Sequence, residues 1–280
     1  MSVAVVTDST AYLPPSAREG LTVVPLTVVI NGVEGSEGVD VTPAEVARAL
    51  GGRRVSVTTS RPSPAAFAAV YQRLLDHGAS GVVSVHLSAQ LSGTVEAARL
   101  AAAEIGPAVK VVDAKSTGMG LGFPALAASA AAAKGSDADA ICRAAVEAAD
   151  RTSTLFYVDT LEFLRRGGRI NAASALLGTA LSVKPILNVV DGAIVVRDKV
   201  RTASRGLARL VDLAVDAAAD ADVDVAVHHL DGAERAEHLA STLKERFGER
   251  LRDCYVTEIG AAVAAHVGPG LASVVVHRRP

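Results

Sequence analysis

Ser84-Val85-His86-Leu87-Ser88-Ala89-Gln90-Leu91-Ser92-Gly93-Thr94 reads as the end of a buried strand, a serine-rich turn and the start of a helix. Gly81-Val82-Val83-Ser84-Val85 is the apolar run of that strand, and Val95-Glu96-Ala97-Ala98-Arg99-Leu100 continues as helix. A strand-to-helix turn at the carboxyl edge of a parallel sheet is where α/β proteins bind ligands. The helix N-terminus carries free N–H groups and partial positive charge, which suits a carboxylate or phosphate. Ser92 and Thr94 fit two roles here, as N-caps of the helix or as hydroxyls facing an anion, with Gly93 allowing close backbone approach.

Outward from this turn, the N-terminal half alternates strand and helix. Val3 to Thr7 is a short apolar strand ending in Asp8-Ser9-Thr10, a second turn at a strand's carboxyl end. Those three residues fit an Asx-turn and capping role as well as a ligand-facing one. Val23 to Ile30 reads as extended, bent or at an edge because of Pro25, and Asn31-Gly32 is a hairpin signal. Thr42-Pro43-Ala44-Glu45 starts a helix that stops at Gly51-Gly52. Val57-Thr58-Thr59-Ser60-Arg61-Pro62-Ser63-Pro64 is rich in hydroxyls and stiffened by proline; it fits a connector or a rigid anion-facing loop, with Ser63 capping a helix over 64–76. Val109 to Asp113 is the next strand. Gly118-x-Gly120-x-Gly122 then misses the dinucleotide fingerprint, because Phe123 stands at the third glycine position; close helix packing accounts for the glycines. Ser136-Asp137 caps a helix running to about Asp150.

The pattern changes near residue 153. Thr154 to Val158 is a strand, 161–170 a short helix ending at Gly167-Gly168 before Arg169, and Leu181 to Val190 a strand. Asp191-Gly192 turns it back through Ala193 to Val196. A cationic stretch with Arg197, Lys199, Arg201 and Arg205 leads into a helix over 202–219. Val223–His228, Glu234–Phe247, Leu251–Thr257 and Leu271–His277 complete a strand, helix, strand, strand order. The fold class is therefore α/β: a doubly wound, mainly parallel N-terminal domain (1–153) and an α+β C-terminal domain (154–280) with a mainly antiparallel sheet. Ile259 to Gly270 is a small-residue helix that delivers His266 into a Gly-Pro-Gly turn; a lone histidine there fits a core role or a binding one.

Half of the 280 residues are hydrophobic, enough for a sizeable core, and the net charge of −2 is interspersed. That balance argues against a nucleic-acid surface. Aromatics make up 3% with no Trp, which disfavours base stacking or an aromatic cage. The two cysteines, Cys142 and Cys254, match no metal or redox spacing and are expected to be free thiols in a reducing compartment. The N-terminus enters a strand without a secretory signal, so a cytoplasmic protein is expected. The uncharged runs between Lys115 and Lys134 and from Ile259 to His277 are broken by Gly and Pro and fit buried α/β elements better than membrane spans.

Taken in order, Val6-Thr7-Asp8-Ser9-Thr10, Thr58-Thr59-Ser60-Arg61-Pro62-Ser63, Leu87 to Thr94, Gly167-Gly168-Arg169-Ile170, Lys184-Pro185-Ile186-Leu187, Lys199-Val200-Arg201 and His266-Val267-Gly268-Pro269-Gly270 resemble the DegV family, the bacterial fatty-acid-binding proteins. The resemblance covers essentially the whole chain. Arg61 departs from it, since the family more commonly has Gln there.

The resemblance implies a lipid carrier with no chemistry and no cofactor of its own. One long-chain fatty acid would lie in a buried tunnel with its carboxylate near the domain interface. A separate ATP-dependent fatty acid kinase would convert it to an acyl phosphate, and a membrane acyltransferase would take that product transiently. By motif match, Thr59, Ser92 and His266 would bind the carboxylate, and Arg169 and Arg201 would contact the phosphate or the kinase. Asp8, Ser9, Ser60, Gly93 and Thr94 would support them; no metal or catalytic residue is implied. Two alternatives stand beside this: a sensor or carrier of another small molecule or lipid, and a serine hydrolase built on Ser92, His266 and Asp8 or Asp113. The hydrolase lacks a Gly-x-Ser-x-Gly elbow.

Overall fold

The computed structural model describes residues 2–52, 55–170 and 183–280. The chain opens with strands β1 (Val3–Asp8) and β2 (Leu21–Val24), followed by β3 (Thr27–Ile30), β4 (Val33–Ser36), helix α1 (Pro43–Gly51) and β5 (Val57–Ser60). Next come α2 (Pro64–Asp76), β6 (Gly81–His86), α3 (Thr94–Ile105), β7 (Val109–Asp113), α4 (Met119–Ala133) and α5 (Ala138–Asp150). The second half holds β8 (Thr152–Tyr157), α6 (Glu162–Arg166), β9 (Lys184–Val190), β10 (Ala193–Val200), α7 (Ala203–Ala218), β11 (Val223–His229), α8 (Ala233–Phe247), β12 (Leu251–Glu258), α9 (Ala261–Val267) and β13 (Ala272–Arg278).

Three sheets result. A parallel sheet has the order β2-β1-β6-β7. A six-stranded sheet has the order β10-β9-β8-β13-β11-β12 and is antiparallel except where α8 returns β12 parallel to β11. The expected mixed α/β class, parallel first and mainly antiparallel second, is what these two sheets form. The third is a small antiparallel sheet, β4-β3-β5.

That small sheet was only partly legible in the sequence: Asn31-Gly32 signalled the β3–β4 hairpin, whereas Val57–Ser60, read as the start of a loop, is the strand β5. The extended stretch Val23–Ile30 is two strands in different sheets, divided at Pro25-Leu26. Proline has no N–H to donate to a ladder, and the N–H of Leu26 donates instead to Ser9 Oγ at 2.9 Å. Asn31-Gly32 and Asp191-Gly192 both form the expected turns, with φ of 51° and 84° in the first and 48° and 85° in the second. The strand expected from Leu181 begins at Lys184; Leu181 and Ser182 lie outside the described residues. The helix expected over 161–170 is confined to α6, stopped by Gly167-Gly168.

The predicted helix starts hold. Thr42 and Glu45 form a reciprocal capping box on α1, Ser63 caps α2 and Asp137 caps α5. Gly120 and Gly122 belong to the buried start of α4, where a Cβ on Gly120 would collide with Ser116 and Thr154. They serve close packing, as expected.

The parallel sheet is covered by α4 and α5 on one face and by α2 and α3 on the other. In the six-stranded sheet the pleat sends Leu155 and Tyr157 toward α7 and α8, and Phe156 and Val158 to the opposite face. On that face a core of Tyr12, Leu26, Val28 and Val46 from the first part of the chain meets Phe156, Leu187 and α9 from the second. The candidate site lies in this shared core. In the parallel sheet the chain leaves β1 to one side for β2 and crosses back to the other side for β6, so the carboxyl ends of β1 and β6 flank a topological switch point.

Candidate functional site

The two turns at the switch point are tied together by one buried carboxylate. Asp8 accepts hydrogen bonds from Thr10 N (3.0 Å), Thr10 Oγ1 (2.6 Å), Leu87 N (3.0 Å) and His86 Nδ1 (3.0 Å). With Nδ1 donating, His86 Nε2 accepts from Ser84 Oγ, which in turn accepts from Tyr71. Asp8 and this chain are fully buried; they shape the turns from beneath, the Asx-turn role open to Asp8 in the sequence.

Beyond Leu87 the backbone folds back on itself: Leu91 N and Ser92 N both donate to Ser88 O. Ser88 Oγ donates to Gly192 O at 2.7 Å, which pins the turn to the β9–β10 hairpin. Ser92 and Thr94 do not cap α3. Gly93 is the N-cap residue, without a side-chain cap, and Ser92 Oγ lies 2.9 Å from Thr94 Oγ1. Thr94 is buried and Ser92 half-buried.

Thr59 arrives from β5 and His266 from the last turn of α9. Thr59 Oγ1 lies 2.8 Å from His266 Nε2. A Cβ on Gly167 would collide with His266 Nδ1, and one on Gly268 (φ 73°) with the ring of Phe163, so these glycines let α6 and α9 close on the histidine. Arg169 Nε donates to Leu91 O at 3.1 Å, and its Nη1 donates to Gly167 O.

Thr59, Ser92, Arg169 and His266 line one cavity. Its walls are largely apolar, including Leu26, Leu91, Phe156, Leu164, Val189 and Ile194. The other expected site residues are placed differently. Ser9 donates to Glu37 Oε2 behind the wall. Ser60 is exposed, its hydroxyl reaching only Arg61 O at 3.5 Å. Gly93 is packed under the side chain of Arg61. Arg201 is exposed between β10 and α7, outside the cavity lining.

Two parts of the site had no sequence signal. Glu37, 5% exposed, accepts from Ser9 Oγ, from Tyr12 OH (3.1 Å) and from Ala262 N (2.7 Å), and Tyr12 OH accepts from Val263 N (3.2 Å). This network satisfies the first turn of α9, the helix that carries His266. Burial pushes the Glu37 carboxyl up, while its donors pull it down. Glu37 stands in a Gly-Ser-Glu-Gly stretch with no periodicity to mark it. His228 also lines the cavity; its Nε2 accepts from Met119 N (2.9 Å), so its proton is on Nδ1, which donates to Thr257 Oγ1 (2.8 Å).

Burial pulls both His228 and His266 down to about 4, with the charge of Arg169 adding to the shift at His266. Both are neutral at pH 7. Among the described residues lining the cavity, the cation is Arg169 and there is no carboxylate. The Ser–His–Asp relay of a hydrolase is not assembled: Ser92 bonds Thr94, His266 bonds Thr59, and Asp8 bonds His86.

A pH dependence follows. An unfolded histidine titrates near 6.5 and these two titrate near 4, so between those values the unfolded chain binds more protons. Their contribution to stability is present above pH 6.5 and is lost as pH falls toward 4, roughly 3 kcal/mol apiece. Glu37, with its carboxyl raised, acts in the opposite sense. Urea unfolding from pH 7 to 4 should show a falling stability whose slope is smaller in His228→Gln; an unchanged slope would show that His228 does not contribute.

Among the described residues, no helix is long and apolar enough to cross a membrane, and no group of three or more His, Cys, Asp or Glu side chains could hold a metal ion.

A family model described as "uncharacterised protein, DegV family" matches residues 2–279. A DegV domain-containing protein of Streptomyces coelicolor is 52% identical over 279 residues, covering 99% of each chain. Among solved structures, a DegV family protein from Thermus thermophilus, described by its fatty acid binding, superposes with a TM-score of 0.91 at 32% identity and covers 100% of both chains. DegV from Bacillus subtilis, described as a fatty acid binding protein, superposes with a TM-score of 0.89 at 29% identity, again over 100% of both.

Proposed function

The chain belongs to the DegV family, and on that premise we propose that it carries one long-chain fatty acid in the cavity and presents the carboxylate to a separate ATP-dependent fatty acid kinase. The observation that carries this reading is the convergence of Thr59, Ser92 and His266 on one largely apolar cavity. Burying about 15 methylenes gains on the order of 12 kcal/mol gross, and association costs remove several kcal/mol of that. A carboxylate that loses water without hydrogen bonds would cancel much of the rest. Thr59 and Ser92 supply donors. With its proton on Nε2, neutral His266 would donate to Thr59 Oγ1 and leave the threonine proton for the ligand. The protein performs no chemistry of its own in this reading: the kinase makes the acyl phosphate, and a membrane acyltransferase receives it.

Denaturing organic extraction of purified chain, followed by lipid mass spectrometry, tests the reading. One fatty acid per chain supports it. An empty extract, repeated after incubation with a panel of fatty acids, overturns it.

Arg169 and Arg201 are assigned to the phosphate or the kinase. Because Arg201 is exposed and outside the cavity lining, Arg201→Ala should leave fatty-acid affinity nearly intact while slowing acyl-phosphate formation by the kinase. Equal loss of both would put Arg201 in lipid binding instead.

A further inference from the structure

We propose that Arg61 sets the specificity of this site. Together with Arg169 it clamps the phosphoryl group of an acyl phosphate, so the chain holds the phosphorylated product more tightly than the free acid. The proposal rests on the fatty-acid reading above and adds to it the form of the ligand that the site prefers.

Arg61 leaves a rigid corner, between the end of β5 and buried Pro62, with Ser63 capping α2 directly after. Its side chain lies across Gly93. A Cβ there would sit 3.0 Å from Arg61 Cδ and 3.1 Å from Cζ, and would collide with Nη1. Only glycine lets the guanidinium settle this close to the backbone beside Ser92. Arg169 holds the other end of the same turn through Leu91 O. One guanidinium therefore touches Leu91 and the other Gly93, with the cavity-lining Ser92 between them in the chain.

Neither cation is neutralised by the protein. All Asp and Glu residues of the chain are among the described residues. None of them forms an ion pair with Arg61 or Arg169 within 4.0 Å. With His266 neutral, the turn carries two positive charges. A fatty-acid carboxylate balances one of them. A phosphoryl group carries a charge close to −2 near neutral pH and offers the oxygen geometry that guanidinium forks match in pairs. Arg61 is solvent-exposed, so its attraction to the phosphoryl group is screened by salt. A glutamine in its place would keep the bulk and lose the charge.

The test is displacement of a fluorescent fatty acid from the full chain by palmitate and by hexadecyl phosphate, a stable monoester with the same chain length. The unmodified protein should prefer hexadecyl phosphate. Arg61→Gln should weaken hexadecyl phosphate about tenfold and palmitate less than about twofold, the difference shrinking in high salt. Equal weakening of both ligands overturns the clamp and makes Arg61 a carboxylate contact. No change in either, with palmitate still bound, also overturns it, and a slower reaction with the kinase would then make Arg61 a docking residue. If the unmodified protein binds neither ligand, the fatty-acid reading fails together with the clamp.

Discussion

Glu37→Ala should destabilise the protein by about 3–5 kcal/mol, since each buried group left without a partner costs about 1–3 kcal/mol. The carboxylate receives Ser9 Oγ, Tyr12 OH and Ala262 N. Alanine leaves all three donors without their acceptor at a position 5% exposed, and adds a cavity. The damage is directional. Ala262 N and Val263 N belong to the first turn of α9, and that helix positions His266 against Thr59. Glu37→Ala should therefore also speed fatty-acid release, although Glu37 is not among the residues lining the cavity. Glu37→Gln retains one amide oxygen as acceptor and should lose roughly half as much stability. Urea unfolding of both variants, with ligand off-rates, checks this. A Glu37→Ala protein within about 1 kcal/mol of the parent would mean that water substitutes for the carboxylate.

The second large effect is expected at the cavity's polar end. Thr59→Val keeps the side-chain shape and removes the hydroxyl that bonds His266. A hydrogen bond to a charged group contributes about 1.5–3 kcal/mol, so fatty-acid affinity should fall about 10- to 100-fold. Adding Ser92→Ala should lower it further. Ser60→Ala is the matched control: it removes a hydroxyl from the neighbouring position, but one whose contact is Arg61 O at 3.5 Å on the exposed face of β5, and affinity should not change. The measurement is a binding titration with one long-chain fatty acid across the three proteins. Full affinity in Thr59→Val would place the carboxylate elsewhere in the cavity.

Both predictions depend on contacts between residues far apart in the chain, which is why they differ in how much the sequence disclosed. The turn Leu87 to Thr94 was readable because its strand, glycine and helix follow one another locally. The same holds for the capped starts of α1, α2 and α5 and for the two turns with glycine in second place. In each, a residue's neighbours in the chain are also its partners in space. The motif order further marked Thr59, Ser92, Arg169 and His266, which the fold brings to one cavity.

What the amino-acid sequence determined alone was therefore the alternation of elements, their boundaries at caps and glycines, the change from parallel to antiparallel architecture, and the family that the motifs resemble. Only the tertiary structure decided which face each polar side chain presents. It divided Val23–Ile30 between two sheets, since a proline interrupts the ladder and Ser9, distant in sequence, receives the freed N–H of Leu26. It turned Ser92 and Thr94 toward each other rather than onto the helix N-terminus. It buried Glu37 beneath α9 and laid Arg61 on Gly93. The physical reason is common to all four. A hydroxyl, carboxylate or guanidinium meets its geometric needs with whatever partner packing brings within reach, and that partner is set by the path of the whole chain rather than by the residues beside it.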